Sequence, residues 1–164
     1  MPRMFSLDNK IALVTGAASG IGASIAETFA KVGATVFVAD RDEKGGRETA
    51  ARIVAAGGRA VFQLLDVTSE ENCEQARQAV HQAHGRLDVL VNNAGIGHVG
   101  TLLQTTGADM DRIYSVNVRG MVNVTKAFLP PMIERGSGNI INLASIGGVV
   151  AVRDRLAYCT FPAR

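Results

Sequence analysis

Five short apolar runs alternate with longer amphipathic segments, and this alternation constrains the fold more than any other feature of the chain. The runs occupy residues 11–14, 35–39, 60–65, 87–91 and 140–144. The amphipathic segments occupy residues 21–32, 43–56, 69–84 and 106–135. The runs are mostly continuous in apolar character, as expected of strands that helices cover on both faces. The pattern predicts an α/β fold, a doubly wound parallel sheet of the Rossmann type, in a single domain spanning residues 1–164.

Glycine and polar residues mark the ends of the predicted helices. Gly33, Gly85 and Gly136 each follow an amphipathic segment, at a position where glycine commonly ends a helix. Ser69 supplies an N-cap before the third segment, and acidic residues follow it in the first turn. These signals support the helix boundaries that the periodicity predicts.

Composition and charge exclude several classes of function. Hydrophobic residues make up 47% of the chain and charged residues 20%, which is typical of a soluble globular protein. The net charge of +2 is too small, and the Lys and Arg residues too dispersed, to predict a nucleic-acid partner. No stretch approaches the roughly 20 apolar residues of a membrane span, and the N-terminus has no apolar core for a signal peptide.

The cysteines and histidines predict neither a metal site nor a disulfide. Cys73 and Cys159 have neither metal-ligand spacing nor the pattern of a disulfide framework, so we expect reduced thiols in a cytoplasmic protein. His81 and His84 on one predicted helix, and His98 in a loop, form no convincing ligand set. We expect these three side chains to face solvent.

A glycine-rich loop joins the first predicted strand to the first helix. The strand ends in Thr15-Gly16, and Gly20 and Gly22 open the helix. Glycines permit the tight turn and let a phosphate approach the backbone N–H groups of the helix N-terminus, whose dipole favours an anion. No Gly-Lys-Ser/Thr follows, which argues against a kinase-type phosphate loop. The loop therefore predicts a nucleotide-binding site.

An acidic residue closes the second predicted strand. Asp40 lies eighteen residues after Gly22, near the distance at which a carboxylate commonly accepts hydrogen bonds from the adenosine ribose hydroxyls. It would also repel the 2′-phosphate of NADP, by roughly 4 kcal/mol for unit charges near 4 Å at an effective dielectric of about 20. Arg41 could neutralise part of that repulsion, and Asp40 alone also fits a turn residue. NAD is the predicted cofactor, with NADP less favoured.

Polar residues that follow the later strands resemble those of a known family. Asn92-Asn93-Ala94-Gly95 follows the fourth run, Asn117 lies inside the long helix, Ser145 ends the fifth run and Tyr158 comes thirteen residues later. In order and spacing, these residues and the glycine loop closely resemble the short-chain dehydrogenase/reductase family. The resemblance covers nearly the whole chain. It implies an NAD-dependent oxidoreductase that transfers a hydride between nicotinamide and a small-molecule alcohol or carbonyl substrate.

The resemblance also implies further cofactor contacts. Asp66-Val67 matches the family position that contacts the adenine amino group, although Asp66 alone fits a turn or helix cap equally well. Asn92 is expected to be structural, and residues 93–95 to line the nicotinamide-side ribose. Ser19 and Ile21 complete the cofactor loop. Similar NADP-preferring enzymes often carry a basic residue at the position of Ser19, so serine there favours NAD.

Three residues have implied catalytic roles. In similar enzymes, the residue matching Asn117 holds a water that links the catalytic lysine to solvent. Taken alone, Asn117 could also be a helix-packing amide, because asparagine is a mediocre helix former. The resemblance implies that the Ser145 hydroxyl hydrogen-bonds the substrate carbonyl and that Tyr158 passes the proton.

The catalytic lysine of the family is replaced in this chain. Pro162 stands four residues after Tyr158, where the family motif has lysine, and Arg164 lies two positions beyond it. A free phenol has a pKa of about 10, which a neighbouring ammonium would lower. Loss of such a contribution typically costs about 10²–10⁴-fold in rate. Proline inside a helix also costs about 3 kcal/mol, so we expect no ordinary helix around Tyr158 and a frayed tail.

The sequence leaves three readings of this polypeptide open. The first is an active NAD-dependent oxidoreductase. The second is a catalytically impaired form that serves only as an NAD-binding or protein-interaction module, and the third is an unstable fragment. We expect the C-terminal strands and helices of the family to be lacking, through an altered reading frame, an alternative end or a cloning boundary. The uncovered edge of the fifth strand would then invite self-association or a homo-oligomer.

Overall fold

A sheet of five parallel strands runs through the protein, of which the computed structural model describes residues 5–160. The strands are Ile11–Thr15 (β1), Thr35–Asp40 (β2), Arg59–Leu64 (β3), Val89–Asn92 (β4) and Asn139–Asn142 (β5). Their order across the sheet is β3-β2-β1-β4-β5. All five predicted strands are present, with ends that move by one or two residues. The doubly wound, Rossmann-type α/β fold is confirmed.

Six helices connect and follow the described strands. They are Gly20–Lys31 (α1), Glu43–Ala55 (α2), Glu70–His84 (α3), Gly107–Tyr114 (α4), Met121–Arg135 (α5) and Leu156–Thr160 (α6). A π-helical turn, Ser115–Gly120, joins α4 to α5, and a 3₁₀ turn, Ile146–Gly148, follows β5. Gly85 and Gly136 end α3 and α5 in the left-handed conformation, as the sequence predicts.

The three central strands β2, β1 and β4 are buried on both faces, and their successive side chains point in opposite directions. Leu13 of β1 packs in one apolar cluster with Phe37, Leu90 and side chains of α3 and α5. Its neighbour Val14 packs in a second cluster, with Val38 and side chains of α1 and α2. Each fully buried side chain of this size stabilises the fold by about 1.5–3 kcal/mol. Burial on both faces explains why these three strands are nearly continuous apolar runs in the sequence.

A buried carboxylate ties the sheet together at the start of β1. Oδ2 of Asp88 accepts a hydrogen bond from the backbone N–H of Ile11 at 2.9 Å and one from Arg86 Nε at 3.1 Å. Arg135 lies 3.5 Å from Oδ1 of the same carboxylate. Burial by itself raises the pKa of Asp88, but the hydrogen bond from Ile11 and the Arg86 guanidinium outweigh burial and hold the pKa below its usual value.

One helix prediction is confirmed with an added detail and one is wrong. The segment predicted over residues 106–135 is helical from Gly107 to Arg135, with the π-helical turn Ser115–Gly120 inside it. We also expected no ordinary helix around Tyr158, yet α6 forms. The described part of this helix is Leu156–Thr160, and Pro162 lies outside the described residues.

The carboxyl-terminal edge of the described sheet is β5, which pairs with β4 alone among the described strands. Its residues are less buried than those of β4, and Ile141 is 44% exposed. Asparagines occupy both ends of the strand, so the edge is mixed rather than uniformly apolar. Self-association through this edge stays a prediction.

Candidate active site

A cleft of about 780 Å³ opens at the carboxyl ends of the strands, where the strand order reverses between β1 and β4. Ligands of open α/β sheets bind at this kind of position. The cleft brings together all of the residues that the sequence singles out, which are Gly16, Ser19, Gly20, Ile21, Gly22, Asp40, Arg41, Asp66, Val67, Asn93, Ala94, Gly95, Asn117, Ser145 and Tyr158.

The first turn of α1 presents backbone N–H groups beside the cleft. The helix begins at Gly20, and the side chain of Ser19, its N-cap residue, forms no capping hydrogen bond. The turn also contains no acidic residue. N–H groups at a helix N-terminus that no side chain caps favour an anion. This turn therefore fits the pyrophosphate of a dinucleotide.

Two glycines let the loop adopt this shape. A Cβ on Gly22 would overlap the carbonyl oxygen of Gly16 and lie 2.5 Å from Asn93 Nδ2, so the helix packs directly on the loop. Gly20 has a φ of +56°, in the left-handed region, and a Cβ there would meet no protein atom within 4 Å. The backbone of this turn is thus open to an approaching ligand.

The carboxylate of Asp40 is fixed by the loop. Its Oδ2 accepts a hydrogen bond from the backbone N–H of Ala18 at 2.9 Å, and its Oδ1 accepts one from Asp42 at 3.0 Å. An ionised carboxylate has about four acceptor positions, so others remain for the hydroxyls of a ribose. The bond to Asp42 also makes Asp40 a turn residue, and the two readings of the sequence are compatible.

Asp66 and Val67 line the cleft beyond β3. Oδ1 of Asp66 accepts hydrogen bonds from the backbone N–H and the hydroxyl of Thr68, at 2.9 and 2.7 Å, so the turn reading of Asp66 is correct. The carbonyl of Val67 accepts a hydrogen bond from Asn123 Nδ2 at 3.0 Å. The contact of this pair with adenine stays a prediction.

The two adjacent asparagines after β4 hold neighbouring segments. Asn92 Nδ2 donates to Asn142 Oδ1 at 2.8 Å, which joins β4 to β5, and to Thr125 Oγ1 at 3.0 Å. Asn93 Nδ2 donates to the carbonyls of Thr15 and Gly16, at 2.9 and 3.2 Å. Asn93 therefore fixes the glycine loop while it also lines the cleft. Asn93 therefore has a larger structural role than the sequence indicated.

The hydroxyl of Thr15 connects the same two loops. It accepts hydrogen bonds from the backbone N–H groups of Asn93 and Ala94, both at 3.0 Å, and donates to the carbonyl of Val91 at 3.3 Å. Thr15 is 1% exposed, so these N–H groups depend on it for a partner. Sequence reasoning treated Thr15 only as the end of a strand.

Asn117 lies in the π-helical turn and pairs with the loop after β4. Its Oδ1 accepts a hydrogen bond from the backbone N–H of Ile96 at 2.9 Å, and its Nδ2 donates to the carbonyl of the same residue at 3.0 Å. These two hydrogen bonds explain why a buried amide lies in an otherwise apolar helical segment. It supports the reading of Asn117 as a packing amide, and its implied link to water stays a prediction.

Ser145 and Tyr158 lie at one end of the cleft, on the 3₁₀ turn and α6. Ser145 Oγ accepts a hydrogen bond from the backbone N–H of Gly147 at 3.2 Å, which leaves its own proton available to donate. A Cβ on Gly147 would lie 3.2 Å from Cε1 of Tyr158, so the ring packs against this turn. The cleft therefore presents two hydroxyl groups on adjacent elements.

Sequence reasoning missed a further part of the cleft wall. The additional lining residues are Leu65, Ile96, Gly97, Val116, Leu143, Ala144, Ile146, Gly147, Val152 and Arg155. Most come from loops, where no periodic pattern marks them. No periodic pattern marks Arg155 either, because it directly precedes the first residue of α6.

The remaining polar groups of residues 5–160 form no metal site. Across these residues, no group of three or more His, Cys, Asp or Glu side chains could hold a metal ion. The expectation that His98 faces solvent is wrong. Its side chain is 12% exposed, and its Nδ1 lies 3.6 Å from Asp109 Oδ1, because the loop after β4 folds back on α4.

Every helix within residues 5–160 is too short or too polar to span a membrane.

Comparison with known proteins identifies the family. A family model described as short chain dehydrogenase matches residues 10–160. The chain belongs to this family. A probable oxidoreductase EphD of Mycobacterium bovis is 41% identical over 97% of this chain. A cyclopentanol dehydrogenase of Comamonas sp. is 38% identical over 94% of it. This short-chain dehydrogenase spans 27% of the length of the first relative and 62% of the second.

Solved short-chain dehydrogenase structures share the fold. A metagenomic short-chain oxidoreductase in complex with NADP matches with a TM-score of 0.88 and 39% identity, over 95% of this chain and 71% of that one. A short-chain dehydrogenase/reductase from Burkholderia phymatum in complex with NAD matches with a TM-score of 0.90 and 32% identity, over 96% of this chain and 56% of that one. One of these two relatives is thus in complex with NADP and the other with NAD.

Proposed function

We propose that this protein is an NAD-dependent oxidoreductase that acts on an alcohol or carbonyl group of a small molecule. One observation carries the proposal. A single cleft joins the uncapped first turn of α1 and the Asp40 carboxylate to the hydroxyls of Ser145 and Tyr158. The first two features suit a dinucleotide, and the last two suit a reacting oxygen.

NAD is the proposed cofactor because of Asp40. Its carboxylate is held in place by two backbone hydrogen bonds, so it cannot turn away from a 2′-phosphate without breaking them. Such a contact costs roughly 4 kcal/mol at an effective dielectric of about 20. Arg41 also lines the cleft and offsets part of this repulsion. Ser19 supplies no positive charge to the phosphate loop.

The residues of the cleft would divide the chemistry among them. A bound nicotinamide would supply or accept the hydride. Ser145 would donate a hydrogen bond to the substrate oxygen, since its Oγ already accepts one from Gly147. Tyr158 would give a proton to that oxygen or take one from it. Asn117 would act as a positioning residue, because its amide fixes the loop at Ile96 beside the cleft.

Proton transfer by Tyr158 is expected to be slow in this chain. The family motif places lysine where this sequence has Pro162, so no ammonium group at that position assists the phenol. Loss of such assistance typically lowers a rate by about 10²–10⁴-fold. We further propose a cytoplasmic location, because neither Cys73 nor Cys159 forms a disulfide.

The test combines cofactor binding with turnover on the purified chain. NADH is titrated while nicotinamide fluorescence and thermal melting are followed. At 100 times its dissociation constant, a ligand stabilises a protein by about 2.7 kcal/mol, which raises the Tm by roughly 5–10 °C. Turnover is then measured on a panel of alcohols and ketones. We expect saturable NADH binding with slow turnover.

A variant of the proposed proton donor separates binding from chemistry. Tyr158→Phe should bind NADH as the unchanged protein does and lose the remaining turnover, because only the hydroxyl is removed. The absence of both a fluorescence change and a Tm increase at millimolar NADH would contradict the proposed function. Turnover at ordinary dehydrogenase rates would instead contradict the importance of the missing lysine.

A further inference from the structure

Arg155 occupies a fixed position in the wall of the cleft that Ser145 and Tyr158 also line. Its carbonyl accepts a hydrogen bond from the backbone N–H of Cys159 at 2.8 Å, which begins α6. It also forms a parallel bridge with Gly100 of the loop after β4. The two neighbours of Arg155 also bond to Gly100. The carbonyl of Asp154 accepts a hydrogen bond from the Gly100 N–H at 2.8 Å, and the N–H of Leu156 donates to the Gly100 carbonyl at 3.3 Å. The backbone at Arg155 is therefore held between a helix and a loop.

The guanidinium of Arg155 retains most of its hydrogen-bonding capacity. Nη1 donates to the carbonyl of His98 at 3.4 Å, a long bond, and a guanidinium has five N–H donors. A Cβ on Gly97 would lie 3.7 Å from Nη1, so the loop presents only backbone to that side of the group. Among residues 5–160, no carboxylate lies within ion-pair distance of Arg155.

Charge is unequally distributed along the cleft. The acidic side chains of the wall are Asp40, which ends β2, and Asp66, which follows β3, where the adenosine half of a dinucleotide is proposed to bind. Arg155 precedes Tyr158 by three residues. Arg155 directly precedes the first residue of α6, Tyr158 lies within that helix, and both line the cleft. Arg41 also lines the wall, next to Asp40 at the acidic end, whereas Arg155 is the cation on the segment that carries the proposed proton donor.

We propose that Arg155 binds an anionic group of the substrate, so that the substrates are hydroxy acids and the corresponding keto acids. This inference rests on the proposed function, because it places the reacting oxygen at Tyr158. An arginine fork binds a carboxylate through two parallel hydrogen bonds, which fixes orientation as well as affinity. The carboxylate held at Arg155 would direct the neighbouring carbonyl or hydroxyl towards Ser145 and Tyr158.

The test compares an anionic ligand with a neutral one of nearly the same shape. Acetoacetate and acetoacetamide are titrated into the full chain by ligand-observed NMR, with and without saturating NADH. We expect acetoacetate to bind about 10–100-fold more tightly. Arg155→Gln should reduce its affinity to that of acetoacetamide, and Arg155→Lys should retain part of the difference. Added salt should weaken the binding of acetoacetate and leave the binding of acetoacetamide unchanged.

A matched control lies on the same segment. The side chain of Arg153 is 94% exposed, and Arg153 does not line the cleft. Arg153→Gln removes the same charge and should leave acetoacetate binding unchanged. The melting temperature of each variant is recorded, so that Arg155→Lys decides the question if Arg155→Gln is unfolded.

The outcomes separate this inference from the proposed function. Equal affinity of the unchanged protein for acetoacetate and acetoacetamide would overturn the role of Arg155, and so would an unchanged preference in Arg155→Gln. Failure of NADH to bind would overturn the proposed function instead. The titrations without NADH would still decide whether Arg155 binds the anion.

Discussion

Replacement of Gly22 by alanine tests the geometry of the cofactor loop most sharply. The added Cβ would overlap the carbonyl oxygen of Gly16 and lie 2.8 Å from its carbonyl carbon. Carbon atoms prefer separations of about 3.5–4.0 Å, so the loop and helix would have to move apart by nearly 1 Å. The obstacle is backbone, which cannot rotate away as the end of a side chain can.

The energetic cost follows from the contacts that the movement disturbs. Overpacking of this kind typically destabilises a protein by about 1–3 kcal/mol. Separation of the loop from Asn93 also weakens that residue's bond to Gly16, and a typical hydrogen bond contributes about 1 kcal/mol. We expect Gly22→Ala to destabilise the protein by about 2–4 kcal/mol, which lowers the Tm by roughly 5–15 °C. NADH affinity should fall at least about tenfold.

Chemical denaturation and NADH fluorescence titration measure the two effects. Gly107→Ala is the control, because a Cβ at Gly107 would meet no atom within 4 Å and Gly107 lies outside the cleft. That control should retain both stability and NADH affinity. A Gly22→Ala protein with unchanged Tm and unchanged NADH binding would show that the contact between Gly22 and Gly16 limits neither stability nor cofactor binding, contrary to this prediction.

Three further substitutions test separate parts of the account. Asp40→Asn removes the charge opposite the 2′-phosphate, so the ratio of NADPH to NADH affinity should rise by at least about tenfold in fluorescence titrations. Asp88→Asn should destabilise the protein by about 1–3 kcal/mol in urea at pH 7. Because the pKa of Asp88 is lowered, its ionised form stabilises the fold above about pH 4, and this contribution is lost as the pH falls through the folded-state pKa. The variant should therefore lose less stability between pH 7 and pH 3. Thr15→Val deprives the N–H groups of Asn93 and Ala94 of their acceptor and should cost about 1–3 kcal/mol, which Thr15→Ser should largely restore.

The sheet could be predicted from sequence because burial determines its residue pattern. The strands β1, β2 and β4 are covered on both faces and are mostly apolar throughout. The strands β3 and β5 lie at the edges of the described sheet and are partly exposed, although their runs are also mostly apolar. The ends were less predictable, because burial and ladder pairing are different requirements. Leu87 and Asp88 are buried but precede β4, and Leu143 follows β5 although its N–H still donates to Asn92 at 2.9 Å.

The interruption of the long helix could not be read from the sequence. A π-helical turn inserts one residue into a helix, and here it lies where two tertiary contacts are made. Gly120 must fit against Val67, and Asn117 must reach Ile96 in a distant loop. The helix at Tyr158 was missed for a related reason, because its backbone is supported by Gly100, far away in the chain.

The candidate site was predictable where a residue type has a specific chemical use. Glycines at a phosphate loop, a carboxylate after β2 and the polar residues after β4 and β5 all line one cleft. The roles of Thr15 and Arg155 depend on which loops the fold brings together, and no sequence pattern marks these tertiary contacts. Their contributions emerge only from the hydrogen bonds and the cleft wall.

A crystal structure of the protein grown with NAD would show whether the cleft is the cofactor site. We expect a dinucleotide in the cleft, with its pyrophosphate at the N–H groups of the first turn of α1 and its adenosine ribose hydroxyls at Asp40. A dinucleotide bound elsewhere, or an empty cleft at millimolar NAD, would contradict this expectation.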